Sequence, residues 1–366
     1  FDNASNGLSK TLTLADSFTV GGTLTVQNTS IGARVYTVNG SNTPTITVSG
    51  DFNLPSTSQT GVINFGNATA SLNFTVNLAG NFTMSDGNPI LKMNITYNGT
   101  GAQTITQSAG TISGGAWTVN KSSGTASLAA NLNLASPTTL TLTAGTLAAA
   151  GYNLTVGSTF SNNATLQLQG GETLTFTKDT DSGTVEYVGS GSTTYASLIY
   201  GNTYYNLKIN STSGTNTFSL AANLTVSNDF TLSSGIFDVN DSTIAINGNT
   251  AFPGGTYKTG TNTNTFGNAA GDSITISGGE LDIESDNVLV DMVKNAGTLT
   301  ISGGTIVYNA GTIVSTKVVT AFSPYNNLTI NSTGSTYTLN GAITVSGNLT
   351  ITAGTLDTKS GSNYAI

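Results

Sequence analysis

The chain repeats a nine-residue pattern six times, and this repetition restricts its fold more than any other feature. Each copy reads as an apolar strand, a corner of small residues and the start of a second strand. The copies are ITQSAGTIS at Ile105–Ser113, LTLTAGTLA at Leu140–Ala148, FTLSSGIFD at Phe230–Asp238, ITISGGELD at Ile274–Asp282, LTISGGTIV at Leu299–Val307 and LTITAGTLD at Leu349–Asp357. Most gaps between the copies are close to multiples of roughly 22–30 residues, the length of one β-solenoid coil. The pattern therefore indicates a repeat architecture.

A second pattern sets the register within each coil. It reads FTVGGTLTV at Phe18–Val26, ITVSGDFNL at Ile46–Leu54 and FTVNLAGNFTM at Phe74–Met84, where we count two extra residues. Both patterns alternate aliphatic residues with threonine, which predicts strands with one apolar and one hydroxyl-bearing face. We therefore predict an all-β parallel β-helix of about 15 coils, each with two or three strands joined at Gly, Asn, Ser or Asp corners.

The repeats divide the chain by regularity. We expect one continuous solenoid over residues 1–366. Coils at 1–98 match the repeat loosely, and coils at 99–238 match it well. Residues 239–323 are expected to form irregular coils or an insertion. Regular coils return at 324–366 and end in mid-strand at Ile366.

Composition argues against several classes of function. The formal net charge is −8, and the 10 Lys and Arg residues are scattered. Nucleic-acid binding requires clustered cations, so we expect none. No apolar run approaches the ~18 residues that cross a bilayer. The absence of Cys and His removes thiolate chemistry, the commonest general base and the commonest metal ligands. We therefore predict no enzyme activity and no required cofactor.

Four segments resemble the β-strand-repeat proteins of bacterial and archaeal cell surfaces, which are similar in style to filamentous haemagglutinins and autotransporter passengers. These segments are GTGAQTI at Gly99–Ile105, YNLTVGSTF at Tyr152–Phe160, NLTINSTG at Asn327–Gly334 and ITVSGNLTITAGTLD at Ile343–Asp357. The resemblance is clear over Gly99–Asp357 and looser over the first 98 residues. It implies a right-handed parallel β-helix in an extracellular stalk, fibre or surface coat. It brings no catalytic residues to this chain.

Acidic residues alternate in one segment, at Glu280, Asp282, Glu284 and Asp286, followed by Asp291. Alternation places the first four on one strand face, with neighbours about 6.6 Å apart. That spacing falls within the range of paired carboxylates in inverting glycosidases. However, Asp282 fills the same repeat position as Asp238 and Asp357, where a corner residue is expected. We interpret the row as a solvated outer face that can bind Ca²⁺ loosely, and keep a specific site as the alternative.

Two further groups have a structural and a functional interpretation. The segment DTDSG at Asp179–Gly183, with Glu186, is similar to a calcium loop, but its glycine stands at the fifth position, so we favour a β-turn. The second group is aromatic and could stack on sugars if exposed. Its recurrence at matching positions instead favours an internal stack. Its members are Tyr195, Tyr200, Tyr204, Tyr205, Phe322 and Tyr325.

Glycosylation sequons are abundant, for example at Asn67, Asn81, Asn94, Asn153 and Asn348. A chain this rich in Asn, Ser and Thr contains about this number by chance, so the sequons do not themselves indicate glycosylation.

The sequence predicts a non-enzymatic extracellular structural protein, a segment of a surface fibre or adhesin stalk. Its partners would be copies of itself, joined end to end at Phe1 and Ile366, or the rest of a longer repeat chain. One alternative is a carbohydrate-active β-helix enzyme using the carboxylates between Glu280 and Asp291. Another is an adhesin that binds glycans or a receptor through Val239–Ser323.

Overall fold

The computed structural model describes residues 1–4, 8–30, 34–40, 43–57, 61–66, 74–284, 292, 296–310, 316–319, 324–359 and 361–366. The chain divides into two compact units, Phe1–Thr184 and Val185–Ile366. Parallel strands stack into a β-solenoid, with about 14 turns in all. The all-β parallel β-helix predicted from the repeats is confirmed. Its handedness, and the continuity of one solenoid over residues 1–366, stay predictions.

The first unit contains twenty strands in its described ranges. They are β1 Lys10–Leu14, β2 Phe18–Val20, β3 Leu24–Thr25, β4 Val35–Gly40, β5 Thr45–Val48, β6 Phe52–Leu54, β7 Val62–Phe65, β8 Thr75–Leu78, β9 Phe82–Met84, β10 Ile90–Leu91, β11 Asn94–Tyr97, β12 Gln103–Gln107, β13 Thr111–Ile112, β14 Ala116–Leu128, β15 Leu132–Leu134, β16 Thr139–Ala148, β17 Leu154–Val156, β18 Phe160–Asn162, β19 Thr165–Leu168 and β20 Leu174–Thr175.

These strands form three parallel ladders, one for each face of the coil. The first ladder runs β1-β4-β7-β10-β13-β15-β17-β20. The second runs β2-β5-β8-β11-β14-β16-β18, and the third runs β3-β6-β9-β12-β14-β16-β19. Strands β14 and β16 belong to two ladders because each passes through a corner. Paired residues on successive coils lie 19–30 positions apart in the sequence. The shortest of these offsets is slightly below the 22–30 residues expected for one coil.

The interior of the first unit is a column of stacked apolar side chains. In the second ladder, Ile46 pairs with Val76, Val76 with Ile95, and Ile95 with Trp117, which then pairs with Leu140. All five side chains are at most 2% exposed. Every coil thus places an apolar residue directly above that of the previous coil. Because a single coil could not bury such a residue alone, stacking stabilises the unit.

The structure corrects the register of one repeat. The repeat pattern matches Phe74 to Ile46 and places two extra residues inside the later copy. Instead, Val76 pairs with Ile46 and Phe82 with Phe52, both at the same offset of 30 residues. The two extra residues therefore lie before the strand. Extra residues inside a strand would interrupt its pairing with the neighbouring coil, whereas the preceding connection can lengthen freely.

Glycine corners explain the nine-residue pattern. In four copies two strands flank the corner, as predicted, whereas the copies at Leu140–Ala148 and Leu349–Asp357 each lie within one strand that passes through the corner. In five copies the corner glycine has positive φ: Gly110, Gly145, Gly235, Gly304 and Gly354, with φ between 68° and 91°. At Gly304 a Cβ atom would lie 2.2 Å from the carbonyl oxygen of Gly279 on the previous coil. The corner thus needs glycine for both its backbone conformation and its close approach to the neighbouring coil.

The second unit begins within β21, and its described strands are β21 Thr184–Tyr187, β22 Thr194–Tyr195, β23 Thr203–Tyr204, β24 Asn206–Asn210, β25 Thr217–Ser219, β26 Leu224–Val226, β27 Phe230–Ser234, β28 Ile236–Asp238, β29 Ile244–Ile246, β30 Thr250–Phe252, β31 Thr256–Lys258, β32 Asn264–Phe266, β33 Ser273–Ile276, β34 Glu280–Ile283, β35 Thr298–Ile301, β36 Thr305–Tyr308, β37 Thr316–Val319, β38 Asn327–Leu339 and β39 Leu349–Asp357.

The second unit is also built from parallel ladders. One runs β22-β25-β28-β31-β34-β36-β38-β39, another β23-β26-β29-β32, and a third β24-β27-β30-β33-β35. The sequence indicated irregular coils over residues 239–323. The described strands of this region nevertheless pair in parallel, at offsets of 20–25 residues.

Candidate functional site

The acidic row lies on β34 and the residue that follows it. Leu281 and Ile283 point inward and are at most 1% exposed, so Glu280, Asp282 and Glu284 share the opposite face, as alternation predicted. Asp286 and Asp291 lie outside the described residues. Of the predicted row, the structure therefore places three carboxylates on one side of one coil.

Asp282 differs from the other two carboxylates because it is buried, at 6% exposure. Its Oδ1 atom has no hydrogen-bond partner, and its Oδ2 atom accepts one long bond of 3.5 Å from Nδ2 of Asn309. Burial, followed by repulsion from Glu284, raises the pKa of Asp282 to about 6. An incompletely solvated carboxylate favours its protonated form, so Asp282 holds a proton in mildly acidic solution.

The repeat position of Asp282 does not explain its environment. At the same position, Asp238 accepts a hydrogen bond of 2.9 Å from the backbone of Asn240, and Asp357 accepts one of 2.9 Å from Lys359. Both aspartates therefore fix corners, as expected. Asp282 instead pairs across strands with Val307, a buried residue. The neighbour of Asp282 on the next coil is thus apolar, and the expectation that this residue lies on a solvated face is wrong.

One lysine accompanies the acidic row. Lys258 is the cross-strand neighbour of Asp282, and its Nζ atom lies 3.7 Å from Oε1 of Glu284. The lysine offsets part of the negative charge, and its field opposes the rise in the pKa of Asp282. Within the described ranges, no three acidic side chains are arranged to hold a metal ion. The Ca²⁺ site stays a prediction, because Asp286 lies outside those ranges.

The DTDSG segment forms a turn that is held by its own side chains. Oδ1 of Asp179 accepts the N–H of Asp181 at 3.2 Å, and Oδ2 accepts the N–H of Asn162 at 2.6 Å. Gly183 has φ of 67°, which suits the end of a tight turn. The segment thus bends the chain through its own side chains, and the β-turn stays a prediction.

The tyrosine group is mainly internal. Tyr200, Tyr204 and Tyr325 are at most 1% exposed, so they cannot stack on sugars. Tyr195 stacks on Phe218 with centroids 5.0 Å apart. Phe322 lies outside the described residues. The hydroxyl groups form buried pairs: Tyr187 with Tyr204 at 3.0 Å, and Tyr308 with Tyr325 at 3.3 Å. The internal position is confirmed for the three buried tyrosines, and the Tyr200 ring packs against that of Tyr204 with centroids 5.5 Å apart.

Asn and Asp side chains at the corners form hydrogen-bonded rows between coils, which the repeat patterns did not predict. The Oδ1 atom of Asn131 accepts the backbone N–H of Asn153 at 2.9 Å, and Oδ1 of Asn153 accepts that of Thr173 at 2.8 Å. In the second unit, Asn206, Asp229 and Asn249 each accept the N–H of a residue on the following coil, at 3.0–3.1 Å. We call these rows the corner ladders. In each, the acceptor lies on the earlier coil.

The corner ladders account for many sequons. Asn81, Asn94 and Asn153 each bind the next coil through Oδ1, at 2.8–3.0 Å. Asn348 donates its N–H to Oδ1 of Asn327 at 2.9 Å, and Asn67 lies outside the described residues. A corner Asn followed by an inward apolar residue and an outward Thr spells Asn-x-Thr. The sequons therefore follow from coil geometry, and this spacing was the signal that could have revealed the ladders.

The two predicted assembly positions differ in structure. The amino group of Phe1 donates to the carbonyl of Thr25 at 2.7 Å, so this residue packs on the first coil. Strand β39 ends at Asp357, and residues 361–366 are not part of a strand. The N–H of Ile343 nevertheless donates to the carbonyl of Ala365 at 3.0 Å, so the end of the chain lies along the previous coil, and the mid-strand position of Ile366 stays a prediction. Asp357 accepts the N–H of Lys359, which has φ of 67°, so the chain turns a corner after β39. End-to-end assembly stays a prediction.

Comparison with known proteins finds no matching family model, no similar curated protein and no similar solved structure. The β-solenoid implied by the resemblance to surface proteins is present, whereas membership of that group stays a proposal. In the described ranges, no helix has the length and apolarity that a bilayer crossing requires.

Proposed function

We propose that this chain is a structural segment of an extracellular fibre, adhesin stalk or surface coat. The observation that carries this proposal is the combination of an apolar column with corner ladders on successive coils. In the first unit, the column through Ile46, Val76 and Ile95 coexists with the ladder through Asn131, Asn153 and Thr173. Such coils resist local opening, because each strand is bonded to the coils before and after it.

Location is the first test of this proposal. Antibodies against the purified chain would be applied to intact cells of the source organism, with permeabilised cells as the reference. We expect labelling of intact cells, and its loss after brief treatment with an external protease. Labelling that requires permeabilisation would contradict an extracellular role.

We further propose that the outer edge of β39 pairs with an additional coil. Among the described strands, β39 pairs with β38 alone, and its Leu349 and Ile351 side chains are 37% and 50% exposed. A further coil would bury these side chains and satisfy the outer edge of β39. This coil would come from a second copy or from the rest of a longer chain. Sedimentation of the chain at increasing concentration distinguishes the two, because only a second copy produces concentration-dependent growth.

The enzyme alternative rests on Asp282, since a raised carboxyl pKa is common in catalytic groups. A carbohydrate-active site would use Asp282 with Glu280 or Glu284. The triple variant Glu280→Gln, Asp282→Asn, Glu284→Gln would be assayed with wild type on acidic and neutral polysaccharides, with and without Ca²⁺. Cleavage by wild type alone would favour the enzyme. Equal absence of cleavage in both proteins would favour the structural role.

A further inference from the structure

A polar cavity of about 530 Å³ lies in the first unit, between β18 and the connection from β20 to β21. Its lining includes Ser158, Ser161, Lys178, Asp179, Thr180 and Asp181. The volume falls within the range of about 300–1,000 Å³ that is usual for small-molecule sites. Apart from the DTDSG segment, this lining shares no residue with the acidic row, the tyrosine group or the corner ladders.

The connection that lines this open cavity is fixed at one buried residue. Asn162 donates its backbone N–H to Oδ2 of Asp179, and its carbonyl accepts the hydroxyl of Ser182 at 3.0 Å. At Gly183, a Cβ atom would lie 2.2 Å from the same carbonyl oxygen. The connection from β20 to β21 is therefore fixed against β18 by the contacts of Asp179, Ser182 and Gly183 with Asn162. The cavity is thus a fixed part of the fold.

Lys178 supplies the positive charge of the cavity. Its Nζ atom donates to the carbonyl of Leu174 at 3.1 Å and lies 4.0 Å from the ring centroid of Phe176. The Phe176 ring in turn packs on Phe160, with centroids 4.4 Å apart. Burial lowers the pKa of Lys178 to about 8, so the ammonium remains mostly charged at neutral pH. These contacts hold the lysine at a defined position.

The lining restricts the chemistry of a ligand. The hydroxyls can donate and accept hydrogen bonds, Lys178 donates, and the carboxylates of Asp179 and Asp181 accept. An anion would face two carboxylates against one ammonium, and an apolar ligand would leave the polar groups without partners. A ligand with several neutral hydroxyl groups matches both donors and acceptors.

We propose that this cavity binds one sugar unit of a neutral glycan. This proposal goes beyond a structural role, because it gives the first unit a ligand. It also differs from the adhesin alternative, which placed recognition in Val239–Ser323. Lys178 and Asp181 would contact the sugar hydroxyls directly, and the turn at Asp179 would position them.

Isothermal titration calorimetry tests the proposal with methyl glucoside, methyl galactoside and methyl mannoside as neutral probes. Glucuronate serves as the anionic probe. We expect at least one neutral probe to bind with a Kd of roughly 1 mM, and glucuronate to bind more weakly. Failure of all neutral probes to bind at about 50 mM, or preferential binding of glucuronate, would overturn the proposal.

Two variants locate the binding. Lys178→Met should weaken binding of the neutral probe about tenfold, the effect of losing a charge-assisted hydrogen bond. Ser158→Trp places a large side chain in the cavity from an exposed lining position and should abolish binding. If Lys178→Met fails to fold, Ser158→Trp alone tests the proposal. Lys10→Met, on exposed β1, is the control and should bind like wild type. Equal affinity in all three variants would place the binding elsewhere and overturn the assignment.

Discussion

The Nζ atom of Lys121 lies 2.6 Å from the Oε1 atom of Gln103, inside the first unit. The same ammonium donates to the carbonyls of Gly99 at 2.5 Å and Gly101 at 2.9 Å. Lys121 is 1% exposed, so its charge is stabilised by these three oxygens in place of water. One buried lysine thus joins the corners of two successive coils.

Removing this ammonium should destabilise the first unit. We expect Lys121→Met to lower the free energy of unfolding by about 3 kcal/mol, because three acceptors lose a charged donor. Urea unfolding followed by circular dichroism measures the change. Lys10→Met, at an exposed lysine, is the control and should change stability by less than about 0.5 kcal/mol. Equal stability of the two variants would show that the buried bonds contribute nothing.

Asp282 should make stability depend on pH. Its pKa is raised in the folded state to about 6 from 3.8, so the folded protein binds this proton more tightly than the unfolded chain. The resulting stabilisation is complete below pH 3.8 and is lost as the pH rises through about 6. After allowance for solvent screening, we expect a loss of about 2 kcal/mol.

The variant Asp282→Asn isolates this contribution. Urea unfolding between pH 4 and 8 should show that wild type loses stability relative to the variant as the pH rises. Asp238→Asn, at the matching repeat position, should follow wild type because Asp238 is a corner residue. A constant difference between wild type and Asp282→Asn across this range would contradict the assigned environment.

The corner glycine at Gly304 should not tolerate a side chain. Gly304→Ala places a Cβ atom against the carbonyl of Gly279 and forces alanine into positive φ. We expect a loss of about 2 kcal/mol or more. Gly271→Ala is the matched control, since a Cβ atom there meets nothing within 4 Å. Thermal unfolding compares the two, and similar midpoints would argue against the close approach at the corner.

The corner ladder at Asn153 depends on an acceptor atom. Asn153→Ala removes the acceptor for the N–H of Thr173 and should cost about 1 kcal/mol. Asn153→Asp keeps an oxygen at this position and should cost less. Chemical denaturation of both variants measures the difference. If aspartate destabilises as much as alanine, the ladder bond has no measurable role.

The general fold could be predicted from the sequence because it depends on local rules. Alternation at Leu140 and Leu142 specifies which side chains face inward, and Gly145 marks the corner within β16. Both signals lie within one coil. Both signals repeat at the length of one coil, so the stacking of successive coils can be predicted as well.

The special environments could not be predicted because they depend on neighbouring coils. Asp282 occupies the position of Asp238 in the repeat, yet its neighbour on the next coil is Val307. The acceptor atoms around Lys121 come from residues 18–22 positions earlier. The cavity at Lys178 depends on how one connection crosses β18. None of these contacts leaves a periodic signal in the sequence.

Cryo-electron tomography of source cells, with and without the gene, tests the proposed structural role most directly. The proposal predicts that fibres or a surface coat are present in wild type, carry a repeat of about 4.8 Å along their axis, and disappear on deletion. An unchanged cell surface after deletion, with the protein found inside the cell, would contradict it.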